Sequence, residues 1–331
     1  MSNSNLKLLL KEYEQSRLEK ELALEKKLSE FYKKNPNLDL ITNKINKISI
    51  EISKSILFNK SPDELNKLYI TLEEYKNEKE KLLKKLNISD DFFFPDYSCK
   101  LCNDTGYLIN NGNIMCNCLK QKLLNIEYNK SNISSLEKEN FDTFNLNIFS
   151  NDIDEEKYHS NISPRENMKK IKEISQNFIK NFNDSKEKNL LFTGNTGLGK
   201  TFLTNCIANE LLKDCKTVLY QTAPVMLDSI MDYRFGKNNN FNYSDLLNVD
   251  LLIIDDLGTE SLNNMKFSEL FNILNTRLLN QNNHITKTII STNLSLNNLF
   301  KTYDERIFSR LVGYYNICKF FGDDLRYKKN V

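Results

Sequence analysis

Apolar residues recur at three- and four-residue steps through the first part of the chain, in three separate runs. Leu6, Leu10, Tyr13, Leu24, Leu28 and Phe31 form one stripe, and Leu38, Ile41, Ile45, Ile48, Ile52 and Ile56 a second. Leu65, Leu68, Leu72, Tyr75, Leu82 and Leu86 form a third. Asn35-Pro36-Asn37 and Ser61-Pro62-Asp63-Glu64 interrupt the pattern, so it predicts three helices, the last opened by a Ser61 cap, Pro62 at its first position and Glu64 completing a capping box. Glu and Lys fill the other faces, as on a solvated helix surface or a partner-binding coiled coil.

The period changes after Pro164, which starts a predicted helix carrying Met168, Ile171, Ile174, Phe178 and Ile179. Continuous apolar runs then alternate with helical patterns. Leu190-Leu191-Phe192, Thr217–Gln221, Val249–Ile254 and Lys287–Thr292 read as strands; Phe202–Leu211, Pro224–Tyr233 and Phe267–Leu279 read as helices. Repeated βα units predict an α/β fold, a parallel sheet with helices on both faces and ligands at the carboxyl ends of its strands.

Between these regions lies SCKLCNDTGYLINNGNIMCNCLKQK. Cys99 and Cys102 form a Cys-x-x-Cys knuckle, and a hairpin turning at Asn110-Asn111-Gly112-Asn113 folds Cys116 and Cys118 back towards them. Four thiolates suit a closed, structural, tetrahedral Zn²⁺ site. An iron–sulfur cluster or a redox dithiol is the other reading, because the second pair is Cys-x-Cys. A helix is predicted from Leu119 to about Asn140, then an aromatic entry, Phe141 to Phe149, and a charged loop over 152–163.

With 331 residues the chain exceeds one typical domain. The expected division is a helical region over 1–90, a cysteine module with a linker helix over 91–140, and an α/β domain over 141–331. Lys and Arg total 46 against 44 acidic residues, so any nucleic-acid contact must come from a local patch. No apolar run approaches the roughly 20 residues of a membrane helix, and the N-terminus lacks an apolar signal core, so a cytoplasmic protein with no membrane partner is expected. The scattered cysteines fit a reducing compartment.

The chemistry centres on Gly194, Asn195, Thr196, Gly197, Leu198, Gly199, Lys200 and Thr201, the phosphate-loop spacing. Glycines let successive N–H groups turn inward around an anion, and the following helix adds its positive end. Lys200 is placed to reach the β- and γ-phosphates and Thr201 to offer its hydroxyl to Mg²⁺. Downstream, an apolar strand ends in Asp255 and Asp256; the first carboxylate suits Mg²⁺ and the second the attacking water, so ATP and Mg²⁺ are implied together. Asn293 follows the next strand, as a group for the same water or the γ-phosphate, or as a turn asparagine.

Together GNTGLGKT, LLIIDDLGTE, IISTNLS, ERIFSRLVG and DDLRYKK resemble the AAA+ ATPases of the bacterial replicative helicase loader family, DnaC- and DnaI-type, and the related IstB-type transposition ATPases. The resemblance runs from about Phe141 to Lys329, and the upstream cysteine segment resembles the DnaI-type arrangement. It implies that Asn293 is sensor 1, Arg310 the arginine finger with Arg306 as the alternative, and Arg326 sensor 2. A trans arginine finger implies a homo-oligomer. The resemblance further implies a hexameric replicative DNA helicase and single-stranded DNA as partners. Ser229–Asn242, with Tyr233, Arg234, Phe235 and Lys237, stands where loaders contact the DNA strand, or is a core-facing helix followed by a polar loop. Asp256, where most AAA+ proteins carry Glu, suggests a slow, switch-like ATPase. The alternatives are an IstB-type transposition helper and a non-hydrolysing nucleotide-binding adaptor.

Overall fold

The computed structural model describes residues 3–58, 61–109, 111–127, 138–237, 241–261, 263–279 and 284–330. Two compact units divide the chain, Leu10–Asn110 on one side and Asn111–Val331 with Met1–Leu9 on the other.

The predicted helices are α1 (Asn3–Lys34), α2 (Pro36–Leu57) and α3 (Pro62–Lys85). Ser61 Oγ accepts from Glu64 N at 3.4 Å, and Pro62 follows at the first position, so the cap forms as expected. α2 packs along α3 with Leu38, Ile41 and Ile52 buried. Ile56, expected on that stripe, is exposed, and Ser55 is buried in its place, because a three-residue step from Ile52 stays closer to the contact line. On α1 only Leu9 and Tyr13 are fully buried among the described residues, and Leu24, Leu28 and Phe31 are half-buried. Phe31 meets the rings of Phe92 and Phe93 at 4.9 and 6.2 Å.

β1 (Tyr107–Leu108) and β2 (Asn111–Met115) form the cysteine hairpin. The predicted turn is corrected: residues 111–113 already belong to β2, and Asn110 lies outside the described residues. α4 (Asn117–Glu127) starts two residues before the predicted Leu119; 128–137 lie outside the described residues, and 138–140 are not helical.

The α/β part comprises α5 (Glu155–Tyr158), α6 (Pro164–Lys180), β3 (Asn189–Thr193), α7 (Lys200–Lys213), β4 (Val218–Thr222) and α8 (Ala223–Arg234). It continues with α9 (Tyr243–Asn248), β5 (Leu251–Leu257), α10 (Asn264–Leu279), β6 (Lys287–Thr292), α11 (Leu296–Thr302), α12 (Glu305–Tyr314) and β7 (Tyr315–Lys319). Among the described residues the sheet order is β4-β5-β6-β3-β7, every pairing parallel. Ser163 caps α6, accepting from Glu166 N at 3.2 Å.

Alternate residues of one strand serve opposite faces. Leu191, Leu219, Leu252, Ile254 and Ile290 enter one core, while Leu190, Phe192, Leu251, Ile253 and Ile289 enter the other. A sheet covered on both sides therefore needs continuous apolar strands, and each such buried side chain contributes about 1.5–3 kcal/mol. The edge strand β4 is closed by α4: Gln121 Oε1 accepts from Val218 N at 2.6 Å and Gln121 Nε2 donates to Val218 O at 2.9 Å. Such pairing blunts an edge that would otherwise template aggregation. From β3 the chain crosses to β4, returns through β5 and β6, and finishes at β7 on the other side of β3. The carboxyl end of β3 is thus the crevice where ligands are expected.

Candidate functional site

The loop after β3 is held open by its glycines. A Cβ on Gly194 would lie 2.3 Å from the Phe320 carbonyl oxygen, and one on Gly197 (φ +74°) 1.8 Å from Asp324 Oδ1. The loop therefore lies close against Phe320 and Asp324 and leads into α7, whose unpaired N–H groups begin at Lys200. Its glycine-rich backbone and that helix end fit a polyphosphate.

Lys200 is 6% exposed and donates from Nζ to Gly194 O at 2.6 Å, Asn195 O at 2.7 Å and Asn293 Oδ1 at 2.8 Å. Burial lowers its pKa, Asp256 and Asp255 oppose that, and Arg326 adds to it. Asn293 reaches this site because β6 lies beside β3 in the sheet, with Thr193 paired to Thr292.

The strand expected to end in its two carboxylates runs one residue further: β5 passes through both to Leu257, with a register irregularity between Ile254 and Leu257 and a left-handed Asp256 (φ 55°). The bulge turns the two carboxylates apart. Asp255 is 3% exposed; Oδ2 accepts from Thr201 Oγ1 at 3.2 Å and from the Tyr220 hydroxyl, and Oδ1 accepts from Asp256 N at 3.1 Å and from the Ser291 hydroxyl. Asp256 is less buried. Burial and the neighbouring Asp255 raise its carboxyl pKa, while Lys200 and a hydrogen bond from Asn293 pull it down. A hydroxyl beside a carboxylate, Thr201 and Asp255, offers the hard oxygen ligands that suit Mg²⁺.

The three arginines stand differently. Arg306 forms an ion pair with Asp304, the cap of α12, through Nη2 at 2.7 Å. Arg310 Nη2 donates to Asn275 Oδ1 at 3.3 Å, and both guanidiniums lie over the Phe271 ring, at 5.1 Å for Arg306 and 4.9 Å for Arg310. Arg326 pairs with Asp324 at 2.5 Å, and those hydrogen bonds hold the Asp324 carboxyl down to about 2. Leu325 N donates to Gly197 O at 3.0 Å, so this segment lies against the phosphate loop. The loop after Asp256 is tied to the arginine helix: Glu260 accepts from Gly258 N at 2.8 Å and from the hydroxyl of Tyr303, next to Asp304.

The sulfurs of Cys99, Cys102, Cys116 and Cys118 all lie within 4.8 Å of one another. Left-handed Asn103 and Asp104 turn the knuckle, and Asp104 accepts from Cys99 N at 2.8 Å, Ser98 N at 2.9 Å and Lys20 Nζ at 2.6 Å. The donor set fits one tetrahedral soft metal ion such as zinc. By contrast, burial pushes the Cys206 and Cys318 thiols up to about 12, leaving them inert.

In the segment read as a DNA contact, Arg234 forms a double hydrogen bond with Glu269, at 2.8 and 3.2 Å, and Tyr233 lies against Phe241. Phe235 is 61% exposed. Tyr220, Ser291, Glu260 and Asp324 fall in predicted strands or motifs with no role legible there; their roles emerge only through strand, helix and loop neighbours.

The IstB-like ATP binding protein family model matches residues 129–330, more than half of the chain. The replicative helicase loader DnaC of Escherichia coli K12 is 28% identical over 139 residues, 41% of this chain and 55% of that protein. A putative insertion sequence ATP-binding protein of Sinorhizobium fredii is 29% identical over 143 residues, 42% of this chain and 56% of that protein. A crystal structure of the DnaC helicase loader covers 56% of this chain and 98% of its own, with 20% identity and a TM-score of 0.46. The chain thus spans about half the length of the curated relatives it matches. No described helix is long and apolar enough to cross a membrane. With the family match spanning the phosphate loop, both carboxylates and all three arginines, the chain belongs to the IstB-like ATP binding protein family, the AAA+ group that includes the DnaC/DnaI-type loaders.

Proposed function

We propose that the chain is an ATP-dependent loader that places a hexameric replicative DNA helicase on single-stranded DNA in the cytoplasm. The observation that carries the ATPase part is the single network in which Lys200, Asn293, Asp256, Asp255 and Thr201 meet at the carboxyl ends of β3, β5 and β6. Gly194 to Gly199 and Lys200 bind the phosphates, and Thr201 and Asp255 hold Mg²⁺, which when bound shields the phosphate charge. Asn293 orients the attacking water and Asp256 takes its proton. Asp is one methylene shorter than Glu, and its carboxyl is already engaged by Asn293, so turnover is slow and switch-like.

The arginines complete the site by assembly. Arg310 extends from α12 of one subunit to the nucleotide of its neighbour in a homo-oligomer, supported by Arg306 being tied to its own cap. Arg326, on the segment lying against the loop, exchanges Asp324 for the nucleotide phosphates. Upstream, the helical region over 1–90 and the module over 91–140, its four cysteines holding zinc, dock the helicase. Phe235, Tyr233 and Lys237 offer stacking and charge to the DNA strand, while Arg234 holds that helix to α10 through Glu269.

The insertion-sequence relative favours a second reading, a transposition helper, against which the cysteine module argues. Mixing the full chain with the replicative helicase of its own cell, Mg·ATP and circular single-stranded DNA tests the choice. Helicase recovered on the DNA only when the chain is present supports loading; no helicase binding together with binding of a transposase supports the rival.

A further inference from the structure

Asp255 has more donors than a carboxylate at a strand end requires. An ionised carboxyl offers about four lone-pair positions, and here Thr201, Tyr220, Ser291 and the Asp256 N–H supply four donors. Three of the donors come from three different elements. Tyr220 lies on β4, whose Thr222 pairs with Asp255; Ser291 follows Ile290 on β6, the partner of Ile254. Both flanking strands thus send a hydroxyl to the one carboxylate between them. The Tyr220 ring is buried in the core on its own face and brings only its polar tip to the site. Ser291 Oγ also accepts from Asp256 N at 3.1 Å, so it braces both carboxylate-bearing residues.

We infer that Tyr220 and Ser291 are positioning residues that set the Asp255 carboxylate for the divalent cation bound with the nucleotide. This rests on reading Asp255 as the Mg²⁺ carboxylate. Thr201 Oγ1 donates to Oδ2 at 3.2 Å, and a hydroxyl can give a cation its oxygen lone pair while its O–H still points at the carboxylate, so Thr201 and Asp255 address the cation together. The donors from Tyr220, Ser291 and Asp256 fix the direction of the carboxylate. Without the Tyr220 hydroxyl the carboxylate would lose its anchor on the Oδ2 side; without Ser291, on the Oδ1 side. Partners that orient a metal ligand in this way are commonly worth 10–100-fold in metal affinity.

The test is nucleotide binding to the full chain across a Mg²⁺ titration and in EDTA, for the native protein, Tyr220→Phe, Ser291→Ala and Asp255→Asn. Phe keeps the ring volume and Ala removes one oxygen, and thermal melting confirms that each variant folds. The expected result is a Mg²⁺ midpoint raised about 10–100-fold in both hydroxyl variants, affinity in EDTA unchanged, and recovery at high Mg²⁺. An unshifted midpoint in both, with Asp255→Asn shifted, overturns the inference and leaves Asp255 as the metal carboxylate. Equal losses with and without Mg²⁺ also overturn it, since they mark a purely structural role. An unshifted midpoint in Asp255→Asn overturns the reading beneath it. Should Tyr220→Phe fail to fold, Ser291→Ala alone decides.

Discussion

The phosphate-loop half of the site and its arginine half are built on opposite principles. Lys200 and Asp255 are buried, and each is fixed by at least three hydrogen bonds from backbone or neighbouring strands. Arg306 and Arg326 are exposed and held by ion pairs with a cap residue and a nearby carboxylate, and Arg310 is half-buried, held by an amide and a ring face. Exposed ion pairs are worth little, so Arg306 and Arg326 cost little to rearrange and Arg310 gives up one neutral hydrogen-bond partner, whereas moving a member of the first set would strand a buried charged group. The contrast fits the proposed division of labour, ground-state binding in one half and switching in the other. The cysteine cluster belongs with the first kind, since Cys99, Cys102 and Cys116 are buried and Asp104 fastens the loop that carries Cys99.

The harshest test of the pre-built class is metal removal. Zinc holding a small polar module is typically worth ~10–16 kcal/mol, so stripping it should unfold the knuckle outright. Purified chain is expected to carry about one zinc, with Cys102→Ser carrying little and losing it to weak chelators. Elemental analysis that finds iron, or no metal, removes the cluster from that class. Lys200→Ala comes next. Removing one partner of a buried, hydrogen-bonded charge contact commonly costs 2–5 kcal/mol, so ATP affinity should fall by about a hundredfold, read by titration with a fluorescent nucleotide. Unchanged affinity would place the phosphates elsewhere.

The arginine half should fail differently. Arg310→Ala is expected to leave ATP affinity within about twofold while hydrolysis drops by a factor on the order of 10³, the lower end for such residues in GTPases. Phosphate release measured beside nucleotide binding separates the two effects. Loss in Arg306→Ala with none in Arg310→Ala would move the role one turn back along α12. Loss of binding in either would erase the contrast between the halves.

Legibility in the sequence cuts across this division. Gly194 to Thr201 is one contiguous stretch whose backbone geometry demands glycine, and the cysteine pairs carry their own spacing, so both could be read without a fold. Tyr220 and Ser291 could not. A tyrosine and a serine inside strands are ordinary β-sheet residues until the order β4-β5-β6 places them on either side of Asp255. Phe271 is likewise an ordinary apolar position of α10 until α12 lies across it. The strand β7 escaped for a related reason: Tyr315-Asn316-Ile317-Cys318-Lys319 is an edge strand, where polar residues replace the apolar run of β3 and β5. Contiguous chemistry shows in one dimension, and chemistry assembled across strands shows only once pairing is known.

Asp256 sits between the two classes, half-buried and left-handed, and gives the finest test. Burial and the charge on Asp255 raise its pKa in the folded chain above the ordinary carboxyl value of 3.8. For an acid raised on folding, the folded state holds the proton more tightly than the unfolded chain does. Its favourable contribution is therefore present below about pH 4 and is lost as the pH rises through the folded value, leaving an ionised, partly desolvated carboxylate at neutral pH. Asp256→Asn should remove that repulsion, so at pH 7 the variant melts slightly above the native chain, and the gain shrinks as both are acidified. If Asp256 is the base proposed above, the same variant should hydrolyse no ATP, because such a base works only when ionised, and native activity should climb as the pH rises through the Asp256 value. A variant that melts below the native chain at pH 7 would mean that Lys200 and Asn293 outweigh burial, and would move Asp256 into the pre-built half.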